Sequence, residues 1–280
     1  MDLDSWLDFV YMASELEFLQ FSSKIDHSVL NPSYTDDEAI EEVKVSAWYR
    51  TKYAIVKPHH LPITKTVPGG NIISTIGFPH GGNSMRSKII EAQYLHTFMC
   101  KEADMVMNIG AFRSKKFKYV EDEIIAVKNA LNNVINTAPG VTLPSGDSRS
   151  HNGSGSVLKV IIEVGHLTDD EIADACKLVE QAGGDFVKTS SGYGPRGATL
   201  KDIEIMKNSV SSAVGVKAAG GIRTLESALA MIDAGADRLG LTATKKICDD
   251  WRIMHGLIDL SWDNPDYKDH KVTDAMLNQL

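Results

Sequence analysis

The sequence lacks a basic surplus and a long apolar run. It has 29 Lys and Arg residues against 37 Asp and Glu residues, which gives a formal net charge of −8 at pH 7. Nucleic-acid-binding domains are normally basic, so we expect no nucleic-acid partner. No stretch of about 18 apolar residues is present, so no membrane span is expected. The acidic start, MDLDSW, is unlike a secretory signal, which begins with basic residues.

Cysteine is scarce, and no metal-binding pattern is visible. The three cysteines, Cys100, Cys176 and Cys248, are odd in number, far apart and without metal-type spacing. We therefore expect buried, reduced thiols and a cytoplasmic location. His59 and His60 are adjacent, but no third ligand lies at a useful spacing along the chain, so no metal site and no cofactor are expected.

What the chain does contain is an alternation of short apolar runs with longer amphipathic ones. The apolar runs are rich in β-branched residues, as in strands buried on both faces. TDDE at 35–38 and at 168–171 are capping boxes that mark helix starts, and Thr199–Asp202 and Thr224–Glu226 offer similar chemistry. The predicted strands are Lys24–Leu30, Tyr53–Lys57, Asn71–Gly77, Ala103–Ile109, Val157–Val164, Phe186–Ser190, Val214–Ala218 and Arg238–Thr242.

Eight strand–helix repeats predict an α/β protein with a closed parallel (β/α)8 TIM barrel, preceded by an extra N-terminal helix. An open doubly wound sheet is the alternative. Its dinucleotide-binding form is disfavoured because no GxGxxG turn follows the first strand.

Three segments lie outside this repeat. Residues 1–22 are predicted as a helical extension whose Trp6, Phe9, Val10 and Leu16 cover either the bottom of the barrel or an oligomer surface. Residues 138–156, rich in Pro, Gly and Ser, are predicted as a flexible insertion in a barrel of residues 23–260. Residues 261–280 are predicted as a polar, loosely packed tail.

Two lysines on consecutive predicted strands are the sharpest sign of chemistry. Lys188 lies within FVKTS and Lys217 within GVKAA, so neither side chain has a route to water except through the barrel mouth. Two close ammonium groups in a desolvated place lower each other's pKa, which yields a neutral amine that can attack a carbonyl. The alternative is an inert buried network in which both lysines pair with Asp26, Asp104 or Glu163.

Other strand ends carry groups that suit a carbonyl reaction on an anionic substrate. Asp104 is the best-placed carboxylate for proton transfer, with counter-ion to a lysine as its alternative role. Glycines follow the sixth, seventh and eighth strands, where barrel enzymes bind phosphate. These are Gly192, Gly194, Gly197, Gly220, Gly221 and Gly240, joined by Thr242 and Thr244. His80 is placed to line the mouth, and His166, after the fifth strand, to contact substrate.

These segments resemble the deoxyribose-phosphate aldolase family of the DeoC type. The resemblance rests on FVKTSSGYGPRGATL and GVKAAGGIRTLESALAMIDAGADRLG, and on KIDHSVLNP, STIGFPHG, EADMVMNIGA and LKVIIEVGHLTDDEI. The matches run in order from about residue 24 to 247. The resemblance implies a metal-independent class I aldolase that reversibly cleaves 2-deoxy-D-ribose 5-phosphate to D-glyceraldehyde 3-phosphate and acetaldehyde, and a homo-oligomer, with a dimer as the expected form.

The resemblance also implies residue roles. Lys188 matches the Schiff-base lysine, Lys217 the second lysine that perturbs it, and Asp104 the proton-relay aspartate. The matched substrate-binding positions are Asp26, Ser28, Thr189, Gly192, Gly220, Gly221 and Thr242.

The chain departs from the family pattern at several places. Lys57 puts a cation where the family has asparagine, Ala243 replaces one of two hydroxyl residues after the eighth strand, and Asn31–Pro32 replaces Lys–Pro. The chain ends in Leu280 rather than in the tyrosine of some members. Two alternatives therefore stay open: a divergent class I aldolase for another aldehyde, including an unphosphorylated one, and a silent barrel that binds a phosphate ligand or a protein.

Overall fold

The computed structural model describes residues 14–132 and 155–257, and within them eight parallel strands close into a barrel in sequential order. Each strand pairs with the next along the chain, and the eighth pairs with the first. The strands are β1 (Ile25–Val29), β2 (Tyr53–Val56), β3 (Ile72–Ile76), β4 (Glu102–Val106), β5 (Val157–Ile161), β6 (Phe186–Lys188), β7 (Gly215–Ala219) and β8 (Arg238–Leu241).

Helices cover the outside of the barrel and connect the strands. Helical residues 14–22 (α1) precede β1. The others are α2 (Asp36–Trp48), α3 (Leu61–Thr64), α4 (Met85–Thr97), α5 (Ile109–Arg113), α6 (Phe117–Leu131), α7 (Asp169–Gln181), α8 (Leu200–Ser209), α9 (Leu225–Asp233) and α10 (Thr244–Met254). Short 3-10 turns lie at Pro58–His60 and Val164–His166. The predicted (β/α)8 barrel is confirmed.

Local sequence explains where the helices begin. Reciprocal capping boxes start α2 at Thr35, α7 at Thr168 and α8 at Thr199, and each satisfies backbone amides that the helix leaves free. At Thr224 the box of α9 is closed by Ser227 rather than by Glu226, because the reciprocal side chain has to stand three residues after the cap. The predicted helix starts are confirmed, with that one change of partner.

The strands end earlier than the apolar runs predict. The run from 157 to 164 gives a strand only to Ile161, and Glu163 adopts a left-handed φ of 56° in the turn that follows. The run to Ile109 stops at Val106 because the Asn108 side chain accepts a hydrogen bond from the Ala111 amide and caps α5. Apolar residues continue past these strands because the turns at the mouth are themselves buried.

The part of the N-terminal extension that the structure describes packs on the barrel's last helix. Phe18 and Phe21 are buried, with ring centroids 5.6 and 5.8 Å from that of Trp251, and the Arg252 guanidinium lies 4.0 Å from the Phe18 ring. Leu16, predicted to cover an apolar surface, is 39% exposed. The apolar positions at 6, 9 and 10, most of the 138–156 insertion and the 261–280 tail lie outside the described residues.

The main hydrophobic core lies between the barrel and its helices. Outward-facing strand residues such as Ile25, Val160 and Leu239 are fully buried against helix residues. The three cysteines are buried and unpaired by disulfides, as expected. Among the described helices, none combines the length and the hydropathy that crossing a membrane would require. Many inward-facing positions of the barrel are, by contrast, charged, although Ile55 and Ile73 form a small apolar cluster there.

Candidate active site

The strand register brings the predicted lysines together. Lys188 and Lys217 are Cα partners across β6 and β7, and Asp104 is the partner of Lys159 across β4 and β5. All four side chains point into the barrel, where they are 0–2% exposed. The barrel closure therefore places three amines and one carboxylate in one desolvated space, among them the two lysines and the aspartate that the sequence predicts.

Asp104 is the centre of the cluster. Its Oδ2 atom accepts hydrogen bonds from Lys188 Nζ at 2.7 Å and from Lys217 Nζ at 2.8 Å. Its Oδ1 atom accepts one from Lys159 Nζ at 3.1 Å. One carboxylate thus bridges three ammonium groups, and the two predicted lysines share a single oxygen.

A second layer of charge lies deeper in the barrel. Asp26 accepts from Lys217 at 2.5 Å and from Arg238 at 2.7 Å. Glu102 stands 2.5 Å from Lys159 and 3.5 Å from Arg238. Because Glu102 is the first residue of β4, the charged column extends from the amino end of that strand towards the mouth.

The network sets the protonation of its members. Burial alone would raise the pKa of Asp104, but Lys159, Lys188 and Lys217 outweigh it and hold the pKa well below its ordinary value. Lys217 behaves differently, because burial dominates over its carboxylate neighbours and lowers its pKa to about 8. The pKa of Lys159 is raised, since Asp104, Asp26 and Glu102 overcome its desolvation. The amine with a pKa near neutrality is thus Lys217.

Glu163 does not take part in this network, although it was a candidate partner for the lysines. Its Oε2 atom accepts hydrogen bonds from the backbone amide and the hydroxyl of Ser191, and its Oε1 atom is buried without a partner. A Cβ on Gly194 would lie 2.6 Å from Oε1. Glu163 therefore ties the turn after β5 to the loop after β6.

Three members of the cluster were missed by the sequence analysis. Lys159 in VLKVI is flanked by apolar residues in the same way as Lys188 and Lys217, and that signal was available. Glu102 and Arg238 stand at the first positions of β4 and β8, next to loops, where charged residues are ordinary. Only barrel closure shows that they face inward.

The glycines predicted to bind phosphate form a tight double loop. Gly192, Gly220 and Gly221 have φ values of 90°, 87° and 82°, a region that favours glycine. A Cβ on Gly197 would lie 2.2 Å from the Gly220 carbonyl oxygen, and the Ala198 amide bonds that oxygen at 3.2 Å. The loops after β6 and β7 thus meet backbone to backbone.

The hydroxyl residues predicted to bind substrate differ in whether their side chains are exposed and free to do so. Thr189 is fully buried, and its hydroxyl bonds both the carbonyl and the amide of Ala219 at 2.9 Å. Ser28 lies two residues after Asp26 on the same face of β1 and is partly exposed, while Thr242 is exposed just after β8. The Thr244 hydroxyl is buried and bonds His27 Nδ1 at 2.7 Å, so it does not serve as the anion ligand that the sequence suggested.

The start of α10 adds an anion-binding feature beside Thr242. Its N-cap, Ala243, provides no side-chain hydrogen bond, so the first amides of this helix are left without a capping oxygen. Such a helix start attracts anions through its free amides and its dipole.

A cavity of about 450 Å³ opens on the same face of the barrel. His80 lines it, as predicted for the mouth, and His166 lines it as well. The remaining lining residues follow β3, β4, β5 and β6, and they are Pro79, Ile109, Gly110, Arg113, Glu163 and Gly194.

Fold and site together define a class: a (β/α)8-barrel enzyme with buried amines beside a carboxylate inside the barrel, as suits an aldolase that works through a Schiff base. A family model described as DeoC/LacD family aldolase matches residues 153–250.

Curated relatives make the identification more specific. A deoxyribose-phosphate aldolase of Corynebacterium diphtheriae is 40% identical over 228 residues, 81% of this chain and 94% of that relative. One from Caldanaerobacter subterraneus is 34% identical over 244 residues, 86% of this chain and 97% of the relative. A solved structure titled "QR15, an Aldolase" is 31% identical with a TM-score of 0.75, and covers 85% of this chain and 99% of its own. The chain belongs to the deoxyribose-phosphate aldolase family.

Proposed function

We propose that this protein reversibly cleaves 2-deoxy-D-ribose 5-phosphate to D-glyceraldehyde 3-phosphate and acetaldehyde, with Lys188 as the Schiff-base nucleophile. The observation that carries the proposal is the pair of amines on one carboxylate oxygen, Lys188 and Lys217 on Asp104 Oδ2. The relatives named deoxyribose-phosphate aldolase support the substrate.

Position favours Lys188 over Lys217 as the nucleophile. Lys188 is the last residue of β6 and retains slight exposure, whereas Lys217 is the middle residue of β7 and is fully buried. A substrate aldehyde entering from the mouth meets Lys188 first. Lys217 lies beside it in the register, and Asp104 Oδ2 contacts both amines, so the three groups can exchange protons.

Charge balance supplies the free amine. Lys159, Lys188, Lys217 and Arg238 face only three carboxylates in this network, those of Asp26, Asp104 and Glu102. One surplus positive charge in a desolvated space favours release of one proton. The lowered pKa of Lys217 marks the place where that proton leaves most easily, and a proton shared through Asp104 Oδ2 then frees Lys188.

The reaction follows from an amine at the C1 aldehyde. Lys188 Nζ adds to C1, the carbinolamine loses water, and the protonated imine becomes the electron sink. The C3 hydroxyl gives up its proton, the C2–C3 bond breaks, and its electron pair passes into an enamine. C3 leaves as the aldehyde of glyceraldehyde 3-phosphate, C2 takes up a proton, and hydrolysis releases acetaldehyde and Lys188. Asp104 and Lys217, through water, are the proposed proton carriers.

Substrate contacts are proposed for the surrounding loops. The Gly220 and Gly221 backbone, Thr242 and the start of α10 suit the phosphate, and Gly192 leaves room beside it. Ser28 is placed for a substrate hydroxyl. Asp26 and Thr189 are already engaged, with cations and with Ala219 respectively, so we propose that both act by holding β1, β6 and β7 around the substrate.

The alternatives lose support. The Lys57 ammonium donates to the carbonyl oxygens of Asn31 at 2.8 Å and of Pro32 at 3.3 Å, so it joins two loops and is not a spare cation for a different substrate. The silent barrel is not favoured because relatives that match more than four fifths of this chain are named deoxyribose-phosphate aldolase.

Location and assembly stay proposals. We propose a cytoplasmic protein, supported by the three free, buried cysteines. We also propose a homo-oligomer, supported by exposed apolar side chains on and after α4, with Ile90 52% and Met99 70% exposed. Light scattering coupled to size-exclusion chromatography measures the assembly.

Trapping tests the nucleophile. The protein is incubated with acetaldehyde and borohydride, and peptides are mapped by mass spectrometry. We expect one ethyl adduct, on Lys188, and loss of both adduct and turnover in Lys188→Leu. Lys52→Leu, at an exposed lysine, is the matched control and keeps both. An adduct elsewhere, or turnover by Lys188→Leu, contradicts the assignment.

A substrate comparison tests the phosphate site separately. Rates are measured on deoxyribose 5-phosphate and on unphosphorylated deoxyribose. A strong preference for the phosphate ester is expected, and comparable kcat/KM values on both sugars would contradict the proposed substrate while leaving the Schiff-base chemistry intact.

A further inference from the structure

We propose that Asp36, His59 and His60 form a binding site for a divalent transition-metal ion such as Zn²⁺. The two histidines lie in the 3-10 turn after β2, and Asp36 is the first residue of α2, after β1. The sequence offered no third ligand near the histidines because Asp36 lies 23 positions before His59. The fold brings these two loops together.

His60 is the first support. The residue is fully buried, yet neither of its ring nitrogens has a hydrogen-bond partner. A buried polar group without a partner is costly, and native structures contain few of them. A metal ion would give a partner to one of these two nitrogens, the Nε2 atom that faces Asp36.

The separation from Asp36 is the second support. His60 Nε2 lies 3.6 Å from Asp36 Oδ1, which is too long for a good hydrogen bond. Zinc–nitrogen and zinc–oxygen bonds of about 2.0–2.2 Å with near-tetrahedral angles place two ligand atoms about 3.3–3.6 Å apart. The observed gap is the size that a shared ion requires.

His59 completes the donor set. Its ring centroid lies 3.9 Å from that of His60, and one ligand atom from each of the three residues lies within 4.8 Å of the others. His59 and Asp36 are exposed, so small side-chain rotations can bring their atoms onto an ion held by the fixed His60. Three protein ligands leave a fourth position open to water.

The chemistry of the donors selects the ion. Two imidazole nitrogens and one carboxylate suit Zn²⁺, Co²⁺, Ni²⁺ or Cu²⁺, whereas Mg²⁺ and Ca²⁺ prefer oxygen ligands. Lys57 stands just before the histidines and weakens any cation site by repulsion. Its ammonium is, however, bonded to the Asn31 and Pro32 carbonyls.

The site differs from the proposed catalytic machinery in its residues and in its effect. A bound ion would join the β1–α2 loop to the turn after β2 and therefore stabilise the folded chain. Schiff-base chemistry at Lys188 needs no part of it.

Metal titration of the full chain, purified without a histidine tag, tests the proposal. Co²⁺ is added first, because its visible absorption bands distinguish four- or five-coordinate protein sites from the hexahydrated ion. Calorimetry with Zn²⁺ follows. We expect saturable binding at Asp36, His59 and His60, Co²⁺ bands of low coordination number, and a melting temperature that rises with Zn²⁺.

Surface variants make the test specific. Loss of a single hydrogen bond behind a ligand typically weakens metal binding about 10- to 100-fold, so His59→Ala and Asp36→Asn should each weaken it at least about tenfold. Both residues are exposed, so both variants should fold. Asp37→Asn, in the same helical turn, and His166→Ala are the matched controls and should bind normally. Failure to bind Co²⁺ and Zn²⁺ saturably, or binding unchanged by both ligand variants, overturns the proposal.

Discussion

At the scale of single residues, Asp104 explains why buried amines persist in this barrel. Its two oxygens bond three lysines, so no ammonium group in contact with it is isolated. Removing a single member of such a network leaves an unpaired charge, which typically costs about 3–5 kcal/mol. The carboxylate therefore holds the site together whether or not it also carries a proton.

The pKa of Lys217 predicts a pH dependence. Below about pH 8 Lys217 is protonated and the cluster keeps its surplus charge, whereas above that pH the cluster has released a proton and can supply a neutral amine. We expect kcat/KM for deoxyribose 5-phosphate cleavage to rise with pH through an inflection near pH 8 and to level off above it. The measurement is a rate profile from about pH 6.5 to 9.5, above the second ionisation of a phosphate ester.

A variant of Lys217 tests whether this lysine is the group that titrates in the rate profile. Arginine stays protonated across this range, so Lys217→Arg should lose the inflection and about 10²- to 10⁴-fold in kcat. Lys52→Arg, at an exposed lysine, should keep the parent profile. A profile that falls with rising pH, or an inflection that survives in Lys217→Arg, contradicts the assignment.

The sequence predicted some residues of the charged cluster and missed others, because only some of them have unusual neighbours along the chain. A lysine inside an apolar strand is conspicuous, which is why Lys188 and Lys217 stood out, and Lys159 carries the same signal. Arg238 stands at a strand start, where a solvated charge is the ordinary case. Which lysine has the lowered pKa depends on its distances to the surrounding charges. The spacing of residues along the sequence does not give those distances, so the lowered pKa of Lys217 became visible only in the structure.

At the scale of elements, the contact between the loops after β6 and β7 is decisive for the proposed phosphate site. Gly197 and Gly220 approach so closely that neither tolerates a Cβ without displacing backbone. The strands position these loops, and the glycines let them touch. The phosphate contacts proposed for Gly220 and Gly221 therefore depend on a residue that need not touch substrate.

Gly197→Ala tests this dependence. The new Cβ would press on the Gly220 carbonyl, shift the β7 loop and raise KM for deoxyribose 5-phosphate by about tenfold or more, since small displacements of binding groups are costly. Steady-state kinetics on the phosphorylated and unphosphorylated sugars measures it. Turnover of the unphosphorylated sugar should change much less.

Gly82→Ala is the matched control, because a Cβ there meets no atom within 4 Å and kinetics should be unchanged. Equal losses on both sugars in Gly197→Ala would indicate general damage to the barrel and contradict the phosphate-loop role.

The positions of the strands could be predicted because buried strands have an apolar sequence pattern. All eight strands lie where the apolar runs predicted them, because their outward faces are apolar even where single inward positions carry a charge. Their ends were not predictable, because the Asn108 side chain caps α5 after β4 and Glu163 adopts a left-handed φ in the turn after β5. At the start of α9, the capping partner of Thr224 was likewise not predicted correctly, because it is Ser227.

At the scale of the whole molecule, the helical residues that precede β1 belong to the folded body. Phe18 is fully buried between Trp251 and Arg252 of α10, the last helix of the barrel. The two ends of the described chain are thus joined by an aromatic cluster, which closes the helical layer near the seam between β8 and β1.

Phe18→Ala should therefore destabilise the entire fold. Removing a buried phenylalanine typically costs about 3–5 kcal/mol of unfolding free energy. Urea unfolding followed by circular dichroism measures it. Leu16→Ala, 39% exposed on the same helix, should change stability by no more than about 0.5 kcal/mol. Similar values for both variants would show that this helix adds little to the barrel.

The charged column inside the barrel also limits how the protein can be redesigned. Outward strand positions hold ordinary apolar side chains, which tolerate volume-conserving exchange. Inward carboxylates such as Asp26 are less tolerant, because replacing one leaves the buried cations Lys217 and Arg238 without that partner. Engineering a new acceptor preference is therefore a task for the rim. His80, Arg113 and His166 line the cavity there on loops and short helices whose side chains can change without unbalancing the interior.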